Sequence, residues 1–114
     1  MHIDSYQFGL IILDEITYDS DCLIAGKTVH PNWWRKQGHL LSADDLQSVI
    51  KAMPSILIVG CGASGFMKIS NDARQILQRH SIKVEVLNTG QAVNRFNELS
   101  QAGENVAAAL HLTC

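Results

Sequence analysis

The chain has 114 residues, 46% of them hydrophobic and 18% charged, with a formal net charge of −2. That length allows one domain, residues 1–114, which buries about 65% of its unfolded surface and needs no metal or disulfide staple. The slight acidity removes any global electrostatic case for nucleic acid or anionic lipid, and no apolar run approaches the ~20 residues that span a bilayer.

The opening residues, Met1-His2-Ile3-Asp4-Ser5-Tyr6, carry neither the basic and apolar regions of a secretory signal nor the Arg-rich character of a transit peptide. A cytoplasmic location is expected. Short β-type runs follow at Tyr6–Leu13, Glu15–Tyr18 and Cys22–Ala25, separated by Asp, Ser and Gly, and they predict an antiparallel meander with tight turns. Gly9 inside the first run predicts a bulge or a close backbone approach.

From Ser42 the chain alternates helix and strand. Ser42 caps a helix with Asp45 at the capping-box position, Leu46, Val49, Ile50 and Met53 recur at helical spacing, and Pro54 stops it. Ile56–Val59 is apolar on both faces, as in a strand covered on two sides. A second helix begins near Ser70 or Asn71 and puts Ala73, Ile76 and Leu77 on one face. In the strand Ile82–Leu87, Lys83 and Glu85 alternate with apolar residues, so one face meets water in part. Thr89 caps a third helix bearing Ala92, Val93, Phe96 and Leu99, Gly103 sits at its C′ position, and Val106–Leu112 closes the chain as a strand. The expected architecture is a three-layer α/β domain: a central mixed sheet, flanking helices and an N-terminal antiparallel meander.

Residues 60–65, Gly-Cys-Gly-Ala-Ser-Gly, follow the central strand as a literal G-x-G-x-x-G. A dinucleotide fold also needs the helix to open inside the motif and an acid about 20 residues on, at the end of the next strand. Here the helical period starts only near Asn71, and that strand ends in Asn88-Thr89. Asp72 in the first helical turn would repel a phosphate, with Lys68 the one nearby residue to offset it. The motif therefore reads as a strand-exit turn whose glycines permit positive φ. No cofactor is expected.

Trp33-Trp34-Arg35-Lys36 with Gly38-His39 is the densest aromatic and basic cluster. It suits a ligand or partner surface, since Trp and Arg are enriched at binding hot spots. Cys22, Cys61 and Cys114 are odd in number and widely spaced, which speaks against disulfides and for a reducing compartment. The five histidines lack ligand spacing, so no metal is expected. Asp19-Ser20-Asp21 and Asp44-Asp45 read as turn and cap residues. A His111–Cys114 pair is disfavoured because the two lie on opposite faces of a strand. Cys61 in the glycine turn is better read as a structural thiol than as a nucleophile, although His39 or His111 could approach it in the fold.

In that order, Phe8-Gly9, Trp33-Trp34-Arg35-Lys36 with Gly38-His39, the Gly60-x-Gly62 turn, Asn88-Thr89 before Ala92-Val93, and His111-x-Thr113-Cys114 form a pattern along nearly the whole chain. It resembles the small family that includes the vertebrate adipogenesis-associated domain protein and mitochondrial complex I assembly factor three. The resemblance implies a three-layer α/β fold with no assigned activity or cofactor, and its mitochondrial members act as accessory factors in assembling a respiratory complex. The chain is expected to lack the targeting extension of the mitochondrial members and looks like a free-standing bacterial form. Cys61 departs from the family pattern.

No matched nucleophile, base and metal set accompanies these features. The expectation is a non-enzymatic accessory or assembly factor that binds a protein, with no nucleic-acid partner and no direct membrane insertion. The alternative is a small-molecule or anion-binding protein, or an enzyme, with its site at the Gly60–Gly65 turn. The candidate surface for either comprises Trp33, Trp34, Arg35, His39, Gly60, Cys61, Gly62, Gly65, Lys68 and His111. A homodimer through an exposed Lys83/Glu85 edge is compatible with the pattern.

Overall fold

The chain forms ten strands and three α-helices, and a computed structural model describes all of residues 1–114. Strands β1 (Ile3–Gln7), β2 (Leu10–Leu13) and β3 (Ile16–Tyr18) pair antiparallel in a sheet of their own. The run expected over Tyr6–Leu13 is thus two strands. Gly9, at φ +76°, lies in the two-residue turn between them rather than in a bulge.

The central sheet has the order β5-β4-β10-β7-β9, built from β4 (Cys22–Ala25), β5 (Thr28–His30), β7 (Ile56–Cys61), β9 (Lys83–Leu87) and β10 (Val106–His111). Strands β10, β7 and β9 are parallel, while β4 and β5 run antiparallel to their neighbours. The meander therefore divides between two sheets instead of feeding one. A third, two-stranded parallel sheet joins β6 (Leu40–Leu41) to β8 (Lys68–Ile69).

Every residue of β7 is buried, and its period of two assigns them to two cores. Ile56 and Ile58 pack with Ile3, Ile11 and Phe96 beneath β1, β2 and helix α3 (Thr89–Gln101). Leu57, Val59 and Cys61 pack with Leu46, Val49 and Leu77 beneath α1 (Gln47–Ala52) and α2 (Asn71–Arg79). Ala107, Ala108 and Ala109 of β10 are small enough for layers on both sides to approach closely. No helix is long and apolar enough to cross a membrane.

The helix expected after Ser42 opens as a 3-10 turn over Ala43–Leu46 before α1 begins. Asp45 Oδ2 accepts from the Ser42 amide at 2.9 Å, while Oδ1 accepts from the Lys36 amide at 3.2 Å. Asp45→Ala is expected to cost about 1 kcal/mol in urea unfolding, since it removes an N-terminal cap and a tether at once. Asn88 rather than Thr89 caps α3, its Oδ1 accepting from the Gln91 amide at 2.9 Å.

Candidate functional site

His111 is the last residue of β10 and faces the same side as Ala107 and Ala109, the side covered by α1 and α2. Asp21 stands just before β4, the antiparallel neighbour of β10, and Arg35 arrives from the connection between β5 and β6. The three meet. Asp21 Oδ2 lies 2.7 Å from His111 Nδ1 and 2.9 Å from Arg35 Nη2, and Asp21 Oδ1 accepts from the Leu112 amide at 2.7 Å. Arg35 and His111 are each only 6% exposed.

This network fixes the tautomer. The shorter contact decides it: Nδ1 donates its proton to the Asp21 carboxylate at 2.7 Å, so Arg35 Nη2, although 3.1 Å from that nitrogen, donates to Asp21 and not to the ring. Burial pushes the Asp21 carboxyl up, but hydrogen bonds from His111, the Leu112 amide and Arg35 outweigh it and hold the group below its ordinary value. Arg35 Nε also donates to the Gly38 carbonyl at 2.8 Å, and the guanidinium lies 4.8 Å from the Trp33 ring. The ring of His39 meets that of His111 edge-on at 5.6 Å. His111 Nε2 and Arg35 Nη1 have no partner within the chain.

An imidazole oriented by a carboxylate is two-thirds of a nucleophilic triad. Cys61 is the register partner of His111 across β7 and β10, yet no hydrogen bond joins its thiol to the ring. Burial pushes the Cys61 thiol up and the Cys22 thiol up to about 11, away from the thiolate form that attacks. Cys22 and Cys61 are buried and Cys114 is exposed. A disulfide-exchange reagent at pH 8 is therefore expected to titrate one thiol quickly and the other two only on unfolding.

The glycine turn is filled by the chain itself. A Cβ on Gly60 would come within 3.0 Å of Thr89 Oγ1 and 3.2 Å of Thr89 Cα. Gly62, at φ +105°, faces the Cys114 carbonyl so closely that no side chain fits. The Gly62 amide donates to Thr89 Oγ1 at 2.9 Å, Ala63 to the Thr113 carbonyl at 2.6 Å, and Phe66 to the Cys114 carbonyl at 3.1 Å. Thr89 Oγ1 in turn donates to the His111 carbonyl at 2.5 Å. The amides that a phosphate would need at these three positions are already engaged.

The ten expected surface residues thus separate. Trp33, Arg35, His39 and His111 come together around Asp21. Trp34 projects outward, 79% exposed. Gly60 and Gly62 pack on Thr89 and Cys114, while Cys61, Gly65 and Lys68 line a cavity of about 400 Å³ with Arg74 and Asn88. Sequence reasoning missed Asp21 as a site residue, because its partners lie 14 and 90 positions away and nothing local marks them. It also missed the interlocking role of Thr89.

The fold recurs in solved structures. A conserved hypothetical protein of Pyrococcus horikoshii OT3 is 21% identical, with all of both chains covered and a TM-score of 0.82. A protein described as an outer membrane protein of Bartonella henselae is 21% identical over 98% of this chain and 94% of its own, with a TM-score of 0.85. A Bordetella pertussis protein described as a Mth938-like domain is 19% identical over 97% of this chain and 85% of its own, with a TM-score of 0.77. These likenesses establish the fold. Membership rests on the sequence match over residues 3–111, by which the chain belongs to the family described as "Protein of unknown function (DUF498/DUF598)", in keeping with the resemblance read from its residues.

Proposed function

We propose that the chain is a non-enzymatic accessory protein that holds a protein partner through aromatic side chains set around residues 111–114. One observation carries this reading. Of the seven aromatic residues, Trp34 (79%), Phe8 (63%) and Phe66 (61%) are largely exposed, and each is tied to that short segment. Gly9, next to Phe8, donates its amide to the Leu112 carbonyl at 2.9 Å; Phe66 donates to Cys114; Arg35, next to Trp34, meets His111. Exposed aromatics on tethered turns are anchors that lose little freedom on binding.

On this reading the buried Asp21–Arg35–His111 cluster is a strut. It holds the Trp33–Trp34 turn against the sheet and keeps the binding surface preorganised. The accessory role of the mitochondrial proteins that the sequence resembles supports the same reading, and neither nucleic acid nor insertion into a membrane enters it.

Affinity capture from cells of the source organism tests it, with wild type beside a Trp34→Ala/Phe66→Ala double variant. A reproducible protein partner is expected with wild type, and its recovery should fall about tenfold or more with the variant, as loss of two hot-spot side chains implies. Both replaced side chains are exposed, so unfolding temperatures should agree. Equal recovery with both, or no reproducible partner, would contradict the reading.

A further inference from the structure

We propose that the cavity beyond the carboxyl ends of β7 and β9 binds a small organic anion, an apolar body carrying one carboxylate or phosphate head. Its volume, about 400 Å³, is that of a small-ligand pocket. Its position, outside the ends of two adjacent parallel strands, is where open α/β sheets hold ligands. It lies beside the glycine turn and is distinct from the self-filled crevice between β7 and β10.

The lining divides by chemistry. Met67, Ile69, Val86 and Leu87 form an apolar wall, and Val86 is an otherwise unexplained exposed apolar residue on an edge strand. Lys68 and Arg74 supply two cations that form no ion pair, and no carboxylate lines the cavity. Their charges act on the Cys61 thiol at the cavity floor against the effect of its burial, so their field reaches inside. Asn88 uses its side-chain oxygen to cap α3, which leaves its side-chain NH₂ free to donate. Two cations and an amide donor at one end of an apolar slot suit an anionic head on an apolar body.

The test is a ¹H–¹⁵N NMR titration of the whole chain with phenyl phosphate, benzoate and the neutral benzyl alcohol, each to about 10 mM, the range that detects millimolar affinity. Saturable shifts confined to Lys68, Ile69, Arg74, Asn88 and Gln91 are expected with at least one anion. A response to one anion alone supports the proposal and assigns the head group. Lys68→Ala/Arg74→Ala should weaken that binding about tenfold or more, as loss of charge-assisted hydrogen bonds does, while Trp34→Ala leaves it unchanged. Both cations are exposed, and the spectrum itself reports whether each variant is folded. No saturable shift with either anion, equal affinity for benzyl alcohol, or unchanged affinity in the double variant would overturn the proposal.

Discussion

Asp21→Ala is expected to lower stability by about 3–5 kcal/mol, the cost of removing one partner from a buried ion pair. The loss has three parts. The guanidinium of Arg35, with only 5% of its side chain exposed, is left without its counter-charge. His111 Nδ1 loses the acceptor that fixes its tautomer, and the Leu112 amide loses its bond at 2.7 Å. Asp21→Asn keeps an acceptor but not the charge, and should recover only part of the loss. Urea unfolding of the three proteins checks the order.

The same group sets an acid limb. The folded-state carboxyl is held below its ordinary value of 3.8, so its contribution is fully present above that pH. The contribution is lost as pH falls from there through the depressed folded value. Wild type should therefore lose stability across that window faster than Asp21→Ala, whose curve lacks this component. Parallel acid limbs would contradict the ion-pair account of the cluster.

Gly62→Val should be about as damaging, at roughly 3–5 kcal/mol, because backbone strain and overpacking add. The φ of +105° is outside what a β-branched residue adopts, and the new side chain would collide with the backbone of Thr113 and Cys114 rather than with a flexible side chain. Gly65 is the internal control. It also has positive φ, +73°, but nothing lies within 4 Å of a Cβ built there. Gly65→Ala should cost about 1 kcal/mol from conformation alone. Equal losses at the two positions would mean that Gly62 is not held by packing against residues 113–114.

Much of this architecture is legible in the sequence because its signals are local. The uninterrupted apolar run at Ile56–Val59 marks a strand buried on both faces, and Cys22–Ala25 matches β4 residue for residue. The helical spacing of Ala92, Val93 and Phe96 marks the buried side of α3. Elements of two or three residues, such as β5, β6 and β8, carry too few side chains to set a period, and partners distant in sequence create them. The separation at Phe8-Gly9 is hidden because Tyr6, Phe8 and Leu10 keep an apolar alternation running straight through the turn.

The site was legible only in part, for a related reason. Trp33, Arg35, His39 and His111 stand out by residue type, but the carboxylate that joins them looks in sequence like one more turn aspartate. The glycine motif shows the converse. Its letters are those of a phosphate cradle, yet their use is internal, the packing of Gly60 on Thr89 and of Gly62 on Cys114, partners that lie outside the motif and far along the sequence.

Whether aromatics around residues 111–114 hold a partner can be read by site-specific photo-cross-linking in cells of the source organism. A photoreactive phenylalanine analogue would be placed singly at Phe8, Trp34 and Phe66, and at Gln78 as a control. Gln78 is exposed near the end of α2, at the opposite end of the parallel strands. Adducts to one common protein are expected from positions 8, 34 and 66, and none from position 78. Adducts equally strong at position 78, or none at the three aromatic positions, would contradict it.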